Sequence, residues 1–258
     1  GIYPNNPYGS ENPVQLVDKA INNSLVNRFI QSFSLDATLF KTGNSILKFN
    51  ATGGLDFVQN TTMVYLPQDL QFQRAQANPG DVFVGKQESY NTNFQTALVY
   101  DWNIGRVALT SQAGIVRLDF RSDALFTRGR GLTAGQTNLK QATIQEINND
   151  LVTIQQDAGI FLQQEANFED KIIASAGIRW DKSTTNPDAN QLFAFPRGSV
   201  AINLANFNFW SIAPVSQLKP RFAYGQTAGP VPFGNIFTSL DAVNIGGRLG
   251  SVMGAALG

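Results

Sequence analysis

Hydrophobic and polar residues alternate along several long stretches of the chain. In NRFIQSFSLDATLF, Phe29 and Phe33 fall on one parity, whereas Arg28 and Asp36 fall on the other. Successive side chains of a β-strand point to opposite faces of a sheet, so this period of two predicts a strand with one apolar face and one polar face. KTGN at 41–44 predicts a tight turn, and SILKFNATGGLDFVQN continues the alternation as the second strand of a hairpin.

The same pattern predicts eight strands whose connections alternate in length. Tight turns are predicted at 41–44, 103–105 and 169–170, and long loops at approximately 1–26, 67–89, 128–152, 183–196 and 227–258. Long alternating strands with short turns on one side and long loops on the other are typical of outer-membrane β-barrels. The sequence therefore predicts an all-β antiparallel transmembrane barrel, with residues 1–258 in one barrel domain and the long loops outside the cell.

Charged residues within the predicted strands keep to the polar parity. They are Arg28, Lys48, Asp56, Asp101, Arg179, Asp181, Lys219 and Arg221. A cation that faces lipid at mid-bilayer costs about 2–4 kcal/mol, so a membrane barrel requires this confinement. We expect these residues to face the lumen; in a soluble protein they would form a solvated face. The aromatic residues near the tight turns are expected to form an interfacial girdle: Phe40, Tyr100, Trp102, Phe168 and Trp210.

Three stretches allow other interpretations. Apolar residues at helical spacing in ATIQEINNDLVTIQQ leave a short amphipathic helix open as an alternative to a strand within 142–155. The apolar parity slips near Gly114, which predicts a β-bulge. GGRLGSVMGAALG at 246–258 has the small-residue spacing of a membrane helix, but it is too short to span, so a flexible loop is preferred.

Composition narrows the classes of function. Nineteen basic residues balance nineteen acidic ones, which argues against a nucleic-acid partner. Because His and Cys are absent, catalysis by Ser-His-Asp or Cys-His arrangements and metal binding by an HExxH motif are excluded. Asp119, Asp157 and Glu165 are weak candidates for an acid–base pair, and RGRG at 128–131 is a weak candidate for an anion nest. We predict a protein that is not an enzyme and has no cofactor, catalytic residue or metal site; no substrate-binding residue is identified.

Several segments carry a resemblance to a known family. SQLKPRFAYGQTAG resembles the LK-R-SYGQTGN signature of SusC-like TonB-dependent transporters of Bacteroidetes outer membranes. GIFLQQEANFEDKIIASAGIRWDKST is similar to the preceding hairpin of that family, whose Arg-x-Asp-x-Ser pattern is here Arg179, Asp181 and Ser183. FAFPRGSVAINLA and NPYGSENPVQLVDKAINNSLVNRFIQSFSLDATL resemble further segments in the same order. Ala228 and Gly229 depart from the pattern, because Gly-Asn is usual there.

The resemblance implies a barrel of about 22 strands that is closed by a plug, energised by TonB and capped by a SusD-like surface lipoprotein. Such a transporter imports glycans or peptides across the outer membrane. Neither the plug nor the TonB box is visible here, so we expect these eight strands to be an internal part of a longer transporter. A small autonomous porin-like barrel and a soluble β-sandwich binding module are the alternatives.

Overall fold

The computed structural model describes residues 3–211, 214–229, 231–232, 234–236 and 240–253. Eight strands form one sheet in which each strand is hydrogen-bonded to the next along the chain. They are β1 (Ile21–Lys41), β2 (Ser45–Leu66), β3 (Asp81–Ile104), β4 (Val107–Leu132), β5 (Ala142–Phe168), β6 (Ile172–Ser183), β7 (Phe193–Ile202) and β8 (Arg221–Gly225). The predicted all-β class and the predicted eight strands are confirmed.

Further elements lie outside this sheet. Helix α1 (Pro13–Lys19) precedes β1, and 3-10 turns occupy Leu139–Gln141 and Leu204–Asn206. Strands β9 (Leu240–Ile245) and β10 (Arg248–Met253) form a separate antiparallel hairpin. In the described part of the chain, no helix has the length and hydropathy needed to cross a membrane.

The structure decides between the alternative interpretations of two segments. Residues 142–155 belong to β5 and not to a helix. The helical spacing of their apolar residues is outweighed by pairing within the sheet, since tertiary context routinely overrides local propensity. Residues 248–253 are a strand of the separate hairpin, so the helix interpretation of the tail is wrong there, whereas its assignment to an extracellular loop stays a prediction; residues 254–258 lie outside the described residues.

Strand β4 is continuous from Val107 to Leu132, across the position near Gly114 where the sequence predicts a bulge. Ser111 hydrogen-bonds to Gln164 of β5 (2.6 Å), and a Cβ on Gly114 would come within 2.5 Å of the ring of Phe161 on the same strand. The bulge itself stays a prediction.

Strands also extend into segments that the sequence assigns to loops. β3 begins at Asp81, within 67–89, and β4 ends at Leu132, within 128–152. Conversely, the connection between β7 and β8 is 18 residues long, from 203 to 220, although the sequence suggests a short one. The extracellular placement of the long loops remains a prediction.

The β5–β6 turn has an unusual backbone. Phe168 lies opposite Ile172 in the sheet register, and the turn residues Glu169 and Asp170 have φ values of 48° and 55°. Two positive φ values match a type I′ turn, whose twist suits a hairpin but favours Asn-Gly. Asn167 compensates in part, because its side chain accepts a hydrogen bond from the Asp170 backbone N–H (2.9 Å) and donates to the Asp170 carboxylate (2.6 Å).

The chain divides into two compact units. The first comprises residues 3–30, 55–91 and 120–154, and its small core is formed by Tyr65, Val82, Leu132 and Ala142. Helix α1 packs in this unit on the segment after β2, because Gln15 donates to the Asp69 carbonyl (2.9 Å) and accepts from the Gln71 N–H (3.1 Å). The second comprises 31–54, 92–119 and the described part of 155–258.

Large apolar residues of the predicted lipid-facing parity are exposed. Phe33, Leu162 and Phe222 have exposed fractions of 57%, 51% and 70%. A folded soluble domain rarely exposes contiguous apolar surface on this scale. All residues of β8, and all but one of β1, are exposed, because each of these strands has a neighbour on one side only within the described sheet.

Candidate functional site

Six of the eight charged residues predicted to face the lumen form ion pairs. In the first unit, Arg28 contacts Asp56 (2.7 Å). In the second unit, Lys48 contacts Asp101 (2.9 Å) and Arg179 contacts Asp181 (2.6 Å). The partners of each pair lie on adjacent strands or two positions apart on one strand. Residues in either arrangement can lie on the same face of a sheet. The charges on this face therefore largely neutralise one another.

The remaining two, Lys219 and Arg221, make no ion pair among the described residues. Arg221 lies opposite Ala201 and Phe222 opposite Val200, so the cation follows the polar parity of β7 and the aromatic ring follows the apolar one. The alternation that the sequence predicts in SQLKPRFAYGQTAG is thus present over residues 221–225, whereas Leu218 and Lys219 precede the strand.

The RGRG segment is not an anion nest. Residues 128–131 lie within β4, and Arg128 pairs with the buried Asp81 carboxylate (2.6 Å), whose side chain is 7% exposed. Arg130 pairs with Glu146. Both cations already have anionic partners, so their side chains are not free to bind a further anion.

The three candidate acid–base carboxylates are not arranged as a catalytic pair. Asp119 forms an ion pair with Arg117 (2.8 Å). Asp157 and Glu165 lie opposite Ser183 and Ser175 on β6, eight residues apart on β5, which is about 26 Å at 3.3 Å per residue. Within the described residues there is also no group of three or more acidic side chains that could hold a metal ion.

A cavity of about 320 Å³ lies in the second unit, bordered by strands β4 to β7 and residues that follow β8. We call it the β4–β7 cavity. Its apolar wall includes Val116, Leu118, Phe193 and Phe195, and its charged residues include Asp157, Arg179, Asp181 and Lys182. The sequence singles out Asp157 as a weak acid–base candidate and Arg179 and Asp181 as lumen-facing charges, but it does not indicate a cavity. Phe193 and Phe195 both fall within 183–196, which the sequence assigns to a loop; the alternation of FAF is the signal that could have placed them on a strand.

The register of the strands explains how the cavity forms. Asp181 lies opposite Gly159 on β5 and opposite Phe193 on β7, while Arg179 lies opposite Phe195. A Cβ on Gly159 would come within 2.1 Å of the Asp181 carboxylate, so the glycine leaves the space in which that carboxylate lies. Arg179 donates to it from the same strand (2.6 Å).

One buried carboxylate oxygen in this wall has no partner. Asp157 accepts a hydrogen bond from the Gln155 amide at Oδ2 (2.9 Å), but its buried Oδ1 accepts none from the described residues. Buried polar atoms are nearly always hydrogen-bonded, because an unpaired buried acceptor costs free energy. The cost is greater for a charged acceptor than for a neutral one. This oxygen is buried beneath the wall of the cavity, whose charged lining is balanced between Asp157 and Asp181 on one side and Arg179 and Lys182 on the other.

Aromatic residues cluster near the tight turns of the second unit. Phe40 and Tyr100 have ring centroids 6.2 Å apart, and Tyr100 stacks on Trp102 at 6.0 Å. At the β5–β6 turn, the Lys171 ammonium hydrogen-bonds to Glu169 (2.6 Å) and lowers the pKa of that carboxyl group, with a further contribution from Arg106. Stacked aromatic rings beside charged turns are the arrangement found at a membrane interface.

The comparison with protein families decides the assignment. The model of the TonB dependent receptor-like β-barrel matches residues 2–254. The chain belongs to the TonB-dependent receptor-like β-barrel family. The predicted barrel fold and the predicted outer-membrane location are thereby confirmed, and the resemblance stated from the sequence motifs is supported. We expect the exposed apolar face of the sheet to be the face that meets lipid.

Solved structures of similar fold include the RagAB peptide importer in an open-open state and in a closed-closed state, and a further structure of the RagAB peptide transporter. The identities are 16%, 15% and 16%, with TM-scores of 0.72, 0.71 and 0.73. Each match covers 91% of this chain and 26% of the other, so the chain spans about a quarter of those chains' length. At this identity the likeness shows the fold alone. No curated protein sequence matches this chain significantly.

Proposed function

We propose that this chain forms part of the barrel wall of a TonB-dependent importer in the outer membrane. The importer takes up glycans or peptides, draws its energy from TonB through a plug, and works with a SusD-like surface lipoprotein. The observation that carries the proposal is the division of the sheet into an exposed apolar face and a face of ion-paired charges, in a chain of the TonB-dependent receptor family.

The two alternative functions find less support. An autonomous eight-stranded porin requires its first and last strands to pair, whereas in the described sheet β8 pairs with β7 and β1 with β2. A soluble β-sandwich requires a second sheet that covers the apolar face, yet the apolar residues of β1, β3 and β5 are exposed. Both observations favour a larger barrel in lipid.

The partners of the proposed importer rest on the family resemblance. A SusD-like lipoprotein and TonB are the partners of SusC-like transporters, and RagAB is a peptide importer. The lumen-facing charges are mostly paired and the chain as a whole has no net charge, which is compatible with uptake of either glycans or peptides.

Uptake in the native host tests the proposal. Cells with and without the full-length protein are given labelled oligosaccharide and peptide mixtures, with and without a protonophore. We expect uptake of one class to require both the protein and the proton gradient, and we expect a lipoprotein to co-purify with the protein in detergent. Uptake that persists with the protonophore would contradict the proposal and indicate a passive porin. A strain lacking TonB provides the matched control for energisation.

A further inference from the structure

One face of the paired strands β2 and β3 changes from aromatic to polar within the first unit. Phe57 and Tyr90 contact each other across the two strands, with ring centroids 4.7 Å apart. Two positions further along each strand, Gln59 donates a hydrogen bond to Glu88 (2.9 Å). Residues two positions apart on a strand share a face, so the aromatic pair and the polar pair are successive levels of one surface.

This surface has the apolar parity of the sheet. Asp56, which precedes Phe57 in the sequence, pairs with Arg28 (2.7 Å) on the other face, so Phe57 belongs to the face that we expect to meet lipid. The Tyr90 hydroxyl lies 3.5 Å from a carboxylate oxygen of Glu88, so the polar end of its ring is directed towards the polar level. Tyrosine with an apolar body and a polar tip is typical of a membrane interface.

The apolar side chains beyond the polar level are covered by the protein itself. Tyr65 and Val82 have the parity of the aromatic pair on their strands, and both are buried in a cluster with Leu132 and Ala142. Phe94 has the same parity on the other side of Tyr90, and its exposed fraction is 40%. Apolar surface is normally covered in water, whereas it stays uncovered by protein where lipid is the solvent.

The position of the aromatic pair along the strands agrees with this change of solvent. Phe57 is the thirteenth residue of β2, counted from the tight turn at 41–44, and Tyr90 is the fifteenth of β3, counted back from the turn at 103–105. A tilted membrane-spanning strand needs about 9–11 residues. Tight turns of such barrels face the periplasm, so a strand of this length has reached the extracellular side of the membrane at the aromatic pair.

We propose that the outer-leaflet interface of the outer membrane lies at Phe57 and Tyr90, with the Gln59–Glu88 pair among the lipid headgroups. The rest of β2 and β3 beyond this level, residues 60–66 and 81–87, stands in water outside the membrane. Lipid acyl chains cover the same face on the side of Phe94. The inference goes beyond the import function, because it does not depend on which molecule is carried.

Labelling of single cysteines on intact cells tests this boundary. Lys86 and Phe94 have the same parity on β3, lie on opposite sides of Tyr90, and are both exposed in the structure. Residues 1–258 contain no cysteine, so Lys86→Cys and Phe94→Cys each introduce one thiol into this part of the full-length protein; any cysteine elsewhere in it is replaced by serine. The probe is a membrane-impermeant maleimide that carries polyethylene glycol, and labelled protein is shifted on a denaturing gel. We expect Lys86→Cys to react at least about tenfold faster than Phe94→Cys, since the thiolate is the reactive form and hydrocarbon disfavours it.

A second pair of positions keeps the test decisive if one variant does not fold. Thr61→Cys and Leu55→Cys repeat the comparison on β2 with the parity of Phe57, and both positions are half-buried. Heat-modifiable migration identifies folded barrels, and labelling in urea shows that each thiol can react. Equal rates within each pair would overturn the boundary: fast labelling of both would show that this face meets water, and slow labelling of both would show that the face remains covered beyond Glu88.

The failure of the boundary and the failure of the importer can be distinguished. Energised uptake together with equal labelling rates leaves the import function intact and rejects the boundary. The expected labelling difference together with uptake that persists with the protonophore keeps the boundary and rejects TonB-dependent import.

Discussion

At the scale of single residues, the lack of a side chain at Gly159 makes room for an ion pair on the neighbouring strand. A Cβ on Gly159 would lie 2.1 Å from the Asp181 carboxylate and 3.2 Å from the Trp180 carbonyl oxygen. The glycine therefore permits the Arg179–Asp181 pair to lie against β5. The sequence shows a glycine within a strand, which usually marks a close approach of another group, but it does not name the group.

Replacement of this glycine should disturb the ion pair. We expect Gly159→Ala to destabilise the full-length protein by about 1–3 kcal/mol, the usual cost of overpacking, because the Asp181 carboxylate must move away from Arg179. The effect is measured as the urea concentration at which half of the protein in lipid vesicles is unfolded. Gly43→Ala is the control, since a Cβ there meets no atom within 4 Å. Equal midpoints for the two variants would show that Asp181 moves without cost.

At the scale of elements, the hairpin of β5 and β6 shows which features depend on local sequence and which on the sheet. Its alternation and its turn at Glu169 and Asp170 are predicted from the sequence and are present. The first half of β5 is ambiguous in sequence, because its apolar residues also fit a helix. Only its place beside β4 in the sheet makes it a strand.

The backbone strain of this turn predicts the effect of a substitution at Asp170. Its φ of 55° is disfavoured for a residue with a Cβ by roughly 1–2 kcal/mol, and glycine has no such cost. We expect Asp170→Gly to be neutral or stabilising, because relief of strain offsets the lost hydrogen bond to Asn167. Asp170→Ala, the matched variant, loses the bond and keeps the strain, so its unfolding midpoint should fall below that of both other proteins. Asp170→Ala as stable as Asp170→Gly would contradict the strain argument.

At the scale of the whole molecule, the two outer strands of the sheet are incomplete. β1 is 21 residues long, and within the described sheet it pairs with β2 alone; β8 pairs with β7 alone. An unpaired strand edge in lipid leaves backbone groups without hydrogen bonds, each at a cost of several kcal/mol. Strands beyond the eight described ones are therefore needed to complete the barrel.

Residues 1–258 expressed alone should not form a stable monomeric barrel. Refolded into detergent, this segment is expected to aggregate and to migrate on a denaturing gel at the same position with and without heating. The full-length protein from the outer membrane should be heat-modifiable and have a mass several times 28 kDa. A heat-modifiable monomer of 28 kDa would instead support the small porin.

Local sequence patterns were enough to predict most strands of the sheet, its two faces and the family. Period-two alternation depends on neighbouring residues and on the cost of charge in lipid, so Arg28, Lys48 and Arg179 are assigned to the polar face without any structure. The family signature around residues 216–229 depends on local motifs in the same way. The tight turns at 41–44 and 103–105 were predictable, because turn-forming residues such as Gly and Asn act over only a few positions of the chain.

The remaining features required the three-dimensional structure, because they depend on which residues lie opposite one another. Register brings Asp157, Gly159 and Asp181 together from two strands and leaves one Asp157 oxygen without a partner among the described residues, whereas in the sequence Asp157 is only one carboxylate among several. Pairing within the sheet also makes residues 142–155 a strand. These features depend on pairing between strands that are distant in the sequence. The alternation within one strand does not show which residues of the neighbouring strand lie opposite it.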